Sequence, residues 1–121
     1  MNVQSASELE TLLAAAATGA GTRLMDRDTF LQLLGYAQAK AYVVYAIEVF
    51  EREGDLEIPR VDLKLIGGDL IQETQAMSYE ERLAHVVEAV RFTISAADKA
   101  SGACEFQIWM EEAELWRDGA A

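Results

Sequence analysis

The sequence predicts a mainly α-helical fold, in which residues 1–121 form one domain, a compact bundle of about five helices. Three observations predict this fold. One proline and 8 glycines are few for an all-β protein, which needs such residues at its many turns. Alanine, leucine, glutamate and glutamine, which favour helix, are abundant. Apolar residues also recur at helical spacing in several segments. Residues 1–4 and 119–121 are expected to be frayed termini.

The first helix is predicted to begin after Ser5. Ser5 and Glu8 have the spacing of a capping box, in which a hydroxyl and a carboxylate accept hydrogen bonds from free backbone N–H groups. The residues that follow at helical spacing form an apolar stripe: Leu9, Leu12, Leu13 and Ala16. Gly19 or Gly21 is the expected stop.

The second helix is predicted over residues 28–53, with Asp26 or Asp28 as its cap. Its apolar face comprises Phe30, Leu33, Leu34, Ala37, Ala41 and Val44, and Gly54 is the expected stop. A strand is the alternative for residues 42–50, because YVVYAIEVF is rich in β-branched and aromatic residues. One or two short helices are expected in residues 54–77, although LEIPRVDLKLI alternates like a strand.

The third strong helix signal begins at Ser78, which has capping-box spacing with Glu81. Its apolar stripe comprises Leu83, Val86, Val87, Val90, Ile94 and Ala97, and Gly102 is the expected stop. Phe92 projects away from this stripe, on the side that carries His85.

The run EFQIWMEEAELW, residues 105–116, is predicted to be a helix. In a helix, Phe106, Trp109, Met110, Ala113 and Trp116 share one face, whereas a strand explains the alternation only up to Met110. Ile108 and Leu115 then lie together on the opposite side. The alternative fold is α+β, with a small sheet from residues 42–50, 56–66 and 104–110.

The charge of the chain limits its partners. The formal net charge is −11, from 21 acidic and 10 basic residues, and most of the excess lies in residues 51–121. Direct binding to nucleic acid or to an anionic membrane requires a positive surface, so neither is expected. A protein partner with a basic surface fits this charge. A lone cysteine, Cys104, excludes an intramolecular disulfide, and no secretory signal is visible, so a cytoplasmic protein is expected.

No catalytic signature is present, and we expect no cofactor and no metal. His85 has Glu81 four residues before it, whereas di-iron helical bundles use a Glu-x-x-His spacing. Cys104 has no second cysteine for redox chemistry, so a buried structural thiol is the expected role.

The sequence therefore suggests a small acidic protein-binding protein without catalytic activity: an adaptor, a chaperone-like subunit, an inhibitor or an immunity-type protein. The predicted anchors are Phe92, Ile108, Trp109, Leu115 and Trp116, with Glu111, Glu112, Glu114 and Asp118 as a charged rim.

Three alternative functions remain. One is a helical metal-binding protein or enzyme that uses His85 with carboxylates. Another is an acidic nucleic-acid mimic, because Glu111, Glu114 and Asp118 recur at helical spacing. The third is a homo-oligomer.

Overall fold

The computed structural model describes residues 4–64, 74 and 76–119, and this part of the chain has an α+β fold. The elements, in chain order, are α1 (Ala6–Ala16), α2 (Arg27–Ala39), β1 (Tyr42–Glu53), β2 (Leu56–Pro59), α3 (Tyr79–Asp98), β3 (Cys104–Glu112) and a 3-10 helix (Ala113–Gly119). The prediction of an all-α bundle of five helices is wrong. The α+β alternative describes the architecture, and its three strands begin close to the positions proposed for them.

The sheet is antiparallel, with strand order β2-β1-β3. The central strand β1 pairs with β3 over Tyr42–Glu51 and with β2 over Phe50–Glu53, and a register shift between Val44 and Ala46 marks a β-bulge. The far edge of β3 is covered by the segment before α2: Met25 and Phe106 exchange two backbone hydrogen bonds of 2.8 Å. This coverage protects an edge that would otherwise expose unpaired backbone groups.

The core lies between one face of the sheet and the helices. Three directly opposed pairs of β1 and β3 residues fill that face, and all six side chains are buried: Val44 with Met110, Ile47 with Ile108, and Val49 with Phe106. Phe30 of α2 stacks on Phe106, with ring centroids 4.4 Å apart. Helix α1 packs on α2 and β3, α2 packs on both long strands, and α3 packs on β1.

Two helix predictions are confirmed. The Ser5 hydroxyl accepts a hydrogen bond from the Glu8 amide at the start of α1. At the start of α3, Ser78 and Glu81 form the reciprocal capping box. Local side-chain chemistry is sufficient to begin these two helices, which is why the sequence located them.

The predicted helix over 28–53 is wrong in its second half. Asp26 does cap α2, but the helix ends at Ala39, and Ala41 takes a left-handed conformation with φ 61° before β1 begins. Gly, not Ala, is the usual residue at such a position, so the sequence carried no clear stop signal there. The β-branched and aromatic residues that follow form the central strand, as the alternative proposed.

The predicted helix over residues 105–116 is also wrong. The segment is a strand up to Glu112 and a 3-10 helix from Ala113. Phe106, Ile108 and Met110 alternate into the core because they extend the apolar face of β1. Of the short helices predicted in residues 54–77, the first part is instead the strand β2, and residues 65–73 and 75 lie outside the described part.

The 3-10 helix is held against the first turns of α3 by two arginine–aromatic stacks. The buried Arg82 guanidinium lies 5.0 Å from the Trp116 ring centre, and it donates to the Trp116 carbonyl and the Thr74 hydroxyl at 3.2 Å each. In the reverse direction, Arg117 lies 4.3 Å from the ring centre of Tyr79. Among the described residues, no helix is both long and apolar enough to cross a bilayer.

Candidate partner-binding groove

An open groove separates α2 from α3 on the helical side of the sheet. We call it the α2–α3 groove; its volume is about 470 Å³. Its lining residues are Leu34, Ala37, Gln38, Ala41, Tyr42, Val43, Val44, Tyr79, Leu83, Val86, Val87, Val90, Arg91, Ile94, Met110 and Ala113. The groove exists because each helix packs mainly on the sheet and not on the other helix. The start of α2 and the end of α3 are joined by an ion pair, in which Arg27 donates to Asp98 at 2.8 and 3.1 Å.

The surface of the groove is mainly apolar. Val44 and Met110 of the sheet are buried beneath it, whereas Val87 on its α3 wall is 44% exposed. Gln38, Arg91 and the two tyrosines, Tyr42 and Tyr79, are its main polar side chains. A concave, mostly apolar surface with a few polar groups is the usual composition of a binding site. Covering exposed apolar area gains roughly 25 cal/mol per Å².

The arginines around the groove are already paired with carboxylates. Besides the Arg27–Asp98 pair, Arg91 lies 3.4 Å from Glu88, and Arg117 lies 3.3 Å from Glu114. Glu80, next to Tyr79, and Glu112, directly opposite Tyr42 in the sheet, are exposed. Neither has an ion pair with a basic side chain in the described part of the chain. These two carboxylates therefore contribute negative charge beside Tyr42 and Tyr79 that no described basic side chain neutralises.

The structure separates the predicted anchors from one another. Ile108 and Trp116 are core residues with 0% and 2% exposure. Trp109 is half-buried: its indole donates to the Gly19 carbonyl at 3.0 Å and its ring packs on Gly21. Phe92 and Leu115 are exposed, at 73% and 53%. Because β3 is not a helix, Ile108 and Leu115 do not share a surface.

The predicted acidic rim is also divided between elements. Glu111, on β3, accepts a hydrogen bond from the Trp116 indole, so these two predicted residues are in contact. Glu112 is exposed, and Glu114 is exposed in the 3-10 helix beside Arg117. The side chain of Asp118 lies outside the described part. The helical spacing that suggested a nucleic-acid mimic is absent, whereas contact of the nine residues with a partner stays a prediction.

The sequence carries a signal for the groove in the apolar stripe of α3. The stripe from Leu83 to Ile94 is wider than the face that α3 buries, and Val87 at its margin is left exposed. A surplus of apolar residues on one helix face is therefore the signal that sequence reasoning missed.

The two residues weighed for chemistry do not form a site. Cys104 donates a weak hydrogen bond to the Ala97 carbonyl at 3.7 Å, and burial, aided by the negative charge of Glu51, raises the pKa of its thiol. A raised pKa reduces the reactive thiolate at neutral pH. His85 lies half-buried on α3. Within the described ranges, no group of three or more His, Cys, Asp or Glu side chains could hold a metal ion.

One pair of carboxyl groups has opposite pKa shifts, which is a pattern that acid–base sites use. Glu105 raises the pKa of Glu57, while Arg52 lowers the pKa of Glu105. One Arg52 nitrogen donates to both carboxyl groups, at 2.6 and 2.7 Å, across the three strands. The Arg52 guanidinium thus explains the lowered pKa of Glu105, and the neighbouring Glu105 carboxyl explains the raised pKa of Glu57, so a partly exposed ion-pair network accounts for both shifts.

Comparison of the chain with models of protein families finds no match, and comparisons with curated proteins and with solved structures find none either.

Proposed function

We propose that this is a binding protein without catalytic activity, which takes an apolar segment of another protein into the α2–α3 groove. The observation that carries the proposal is the open apolar groove of about 470 Å³. A partner that covers Val87 and the half-buried side chains around it would remove apolar area from water, which is the main source of affinity at such surfaces. An adaptor, an inhibitor or a chaperone-like subunit would each use a surface of this kind.

The net charge of −11 favours a partner with a basic surface. Opposite charge speeds diffusional encounter and excludes acidic competitors, while the apolar contacts supply affinity.

The test compares two arginine substitutions on α3. Val87 lies in the groove and Phe92 projects from another side of the helix, and both side chains are exposed, so Val87→Arg and Phe92→Arg make the same change of charge at tolerant positions. The tagged wild-type protein and both variants are used for quantitative affinity capture in extracts of the native host. We expect Val87→Arg to reduce recovery of the specific partner at least tenfold and Phe92→Arg to leave it unchanged.

Other outcomes contradict the groove as the binding site. Loss of the partner with Phe92→Arg alone would place the interface on the surface around Phe92, an exposed member of the predicted anchors. Loss with neither variant would also exclude the groove. Native mass spectrometry adds a further outcome: a small molecule retained by the wild type but not by Val87→Arg would make the groove a ligand pocket.

A further inference from the structure

The α3 wall of the α2–α3 groove is long enough to line a docked helix. Its α3 wall extends from Tyr79 to Ile94, which is about 22 Å at 1.5 Å per residue. Apolar side chains from α2, from the sheet and from α3 border it on three sides. A row of apolar side chains from a partner helix would match the length of the α3 wall.

The walls of the groove decide the backbone conformation of an occupant. Two walls are helices, whose interior backbone N–H and C=O groups are bonded within the helix, and the β1 residues of the floor pair with β3. An extended peptide gains affinity from main-chain hydrogen bonds to a strand edge, and the two helical walls provide none. A helix satisfies its own backbone groups and needs only side-chain contacts, which the groove provides.

The charge beside one end of the groove decides the flanking residues of the occupant. Arg91 and Arg117 are each paired with a carboxylate, whereas Glu80 and Glu112 have no cationic partner in the described residues. Glu80 follows Tyr79 in α3, Glu112 is opposite Tyr42 in the sheet, and both tyrosines line the groove. A basic residue at that end of a bound helix would complement these carboxylates, and an acidic residue would be repelled.

We infer that the occupant of the α2–α3 groove is an amphipathic α-helix of a partner protein, with its apolar stripe in the groove and a Lys or Arg beside Glu80 and Glu112. This inference rests on the proposed function. It adds the conformation and the charge pattern of the bound segment.

The first experiment selects the occupant without assuming its sequence. A yeast-display library of random 18-residue peptides is sorted for binding to the wild-type protein, and clones that still bind Val87→Arg are removed. We expect the enriched peptides to carry apolar residues at i, i+3 or i+4, and i+7, with Lys or Arg concentrated at one end.

Each result of the selection is decisive. Groove-dependent peptides with alternating or proline-rich patterns would overturn the helical occupant while leaving the proposed function intact. Helical peptides without a basic end would overturn the charge pattern alone. A selection that yields no binder sensitive to Val87→Arg would overturn the inference. If capture of the natural partner from host extracts were also insensitive to Val87→Arg, the proposed function would fail with it.

The second experiment measures the role of the two carboxylates with an enriched peptide. Glu80→Gln combined with Glu112→Gln removes both charges and keeps side-chain size. The control combines Glu10→Gln with Glu53→Gln, two exposed positions outside the groove, so the net charge changes equally. We expect about a fivefold weaker Kd for the first variant at low salt, little change for the control, and a smaller difference at high salt. Equal Kd values for the two variants would overturn the charge pattern.

Discussion

Ala41 adopts a left-handed backbone conformation, φ 61°, immediately after the C-cap residue of α2. This conformation brings its β-carbon close to the following carbonyl oxygen, a cost that glycine avoids. The Ala41 carbonyl accepts a 2.8 Å hydrogen bond from the Ala113 amide, so the start of β1 is tied to the 3-10 helix. Tertiary contacts therefore hold a residue in a conformation that its type disfavours.

We predict that Ala41→Gly stabilises the protein by about 1 kcal/mol, because the strain at φ 61° is relieved. Urea denaturation followed by circular dichroism measures this change as a higher midpoint with an unchanged slope. Ala39→Gly is the matched control. It places glycine at the last residue of α2, where helical φ and ψ are favourable for alanine, and we expect it to destabilise the protein. A lower midpoint for Ala41→Gly would refute the strain argument.

Two glycines have opposite surroundings and give opposite predictions. A β-carbon at Gly21, which has φ 72°, would lie 2.5 Å from Cε2 of Trp109. A β-carbon at Gly35, within α2, would meet no atom within 4 Å.

We therefore expect Gly21→Ala to destabilise the protein by about 2 kcal/mol or more, from strain and displacement of the indole. Gly35→Ala should stabilise it by about 0.5–1 kcal/mol, because alanine favours helix. Thermal unfolding of the two variants tests both signs, and a stabilising Gly21→Ala would contradict the close contact with Trp109.

At the scale of elements, the helices begin where local side chains cap them. Asp26 is the N-cap of α2 and accepts a 2.8 Å hydrogen bond from the Thr29 amide. That hydrogen bond is the main cause that lowers the pKa of Asp26 below its usual value, with a smaller contribution from Arg23. Because the folded-state pKa is the lower one, the ionised cap stabilises the fold fully above the unfolded pKa. The stabilisation is lost as pH falls through the folded pKa.

We predict that Asp26→Ala destabilises the protein by about 1 kcal/mol at pH 7. Asp26→Asn keeps a good cap that does not titrate, so the stability of the wild type relative to Asp26→Asn should fall as the pH is lowered below about 4. Denaturation midpoints measured between pH 7 and pH 3 test this. A constant difference across that range would show that the Asp26 charge does not contribute.

The two long strands are decided by pairing between distant segments, whereas the helices begin at local caps. Residues 42–53 and 104–112 could each satisfy a helical or an extended pattern, since both are short apolar runs with β-branched or aromatic residues. Their pairing joins positions more than fifty residues apart in sequence, and the register places Val44, Ile47 and Val49 opposite partners of matching burial. The sequence of either segment alone does not indicate which residues of the other segment it will pair with.

At the scale of the whole molecule, the carboxylates outnumber the cations two to one, at 21 to 10. Two arginines of the described residues each pair with two carboxylates: Arg60 pairs with Glu51 and Asp62, and Arg52 pairs with Glu57 and Glu105. The carboxylates in excess over the basic side chains repel one another, and salt can screen this repulsion.

We predict that the melting temperature rises as NaCl is increased from 0.1 M to 1 M, because the screening length falls from about 10 Å to about 3 Å. Glu10→Gln combined with Glu53→Gln reduces the net negative charge, so this variant should show a smaller rise. Differential scanning calorimetry measures both. A melting temperature that falls with salt would mean that the attractive ion pairs of Arg52 and Arg60 outweigh the general repulsion.

The sequence by itself determined where the helices begin and what net charge the protein carries, because these features depend on neighbouring residues and on composition. The two capping-box spacings located α1 and α3, the choice of Asp26 or Asp28 as cap placed the start of α2, and the composition gave the net charge of the whole molecule. Only the tertiary structure decided that residues 42–53 and 104–112 are strands, because their backbone groups are satisfied by each other and not within one segment. The tertiary structure also decided where the candidate binding groove lies. The apolar stripe of α3 is visible in the sequence, but the spacing of α2 and α3 on the sheet leaves Val87 exposed beside an open groove.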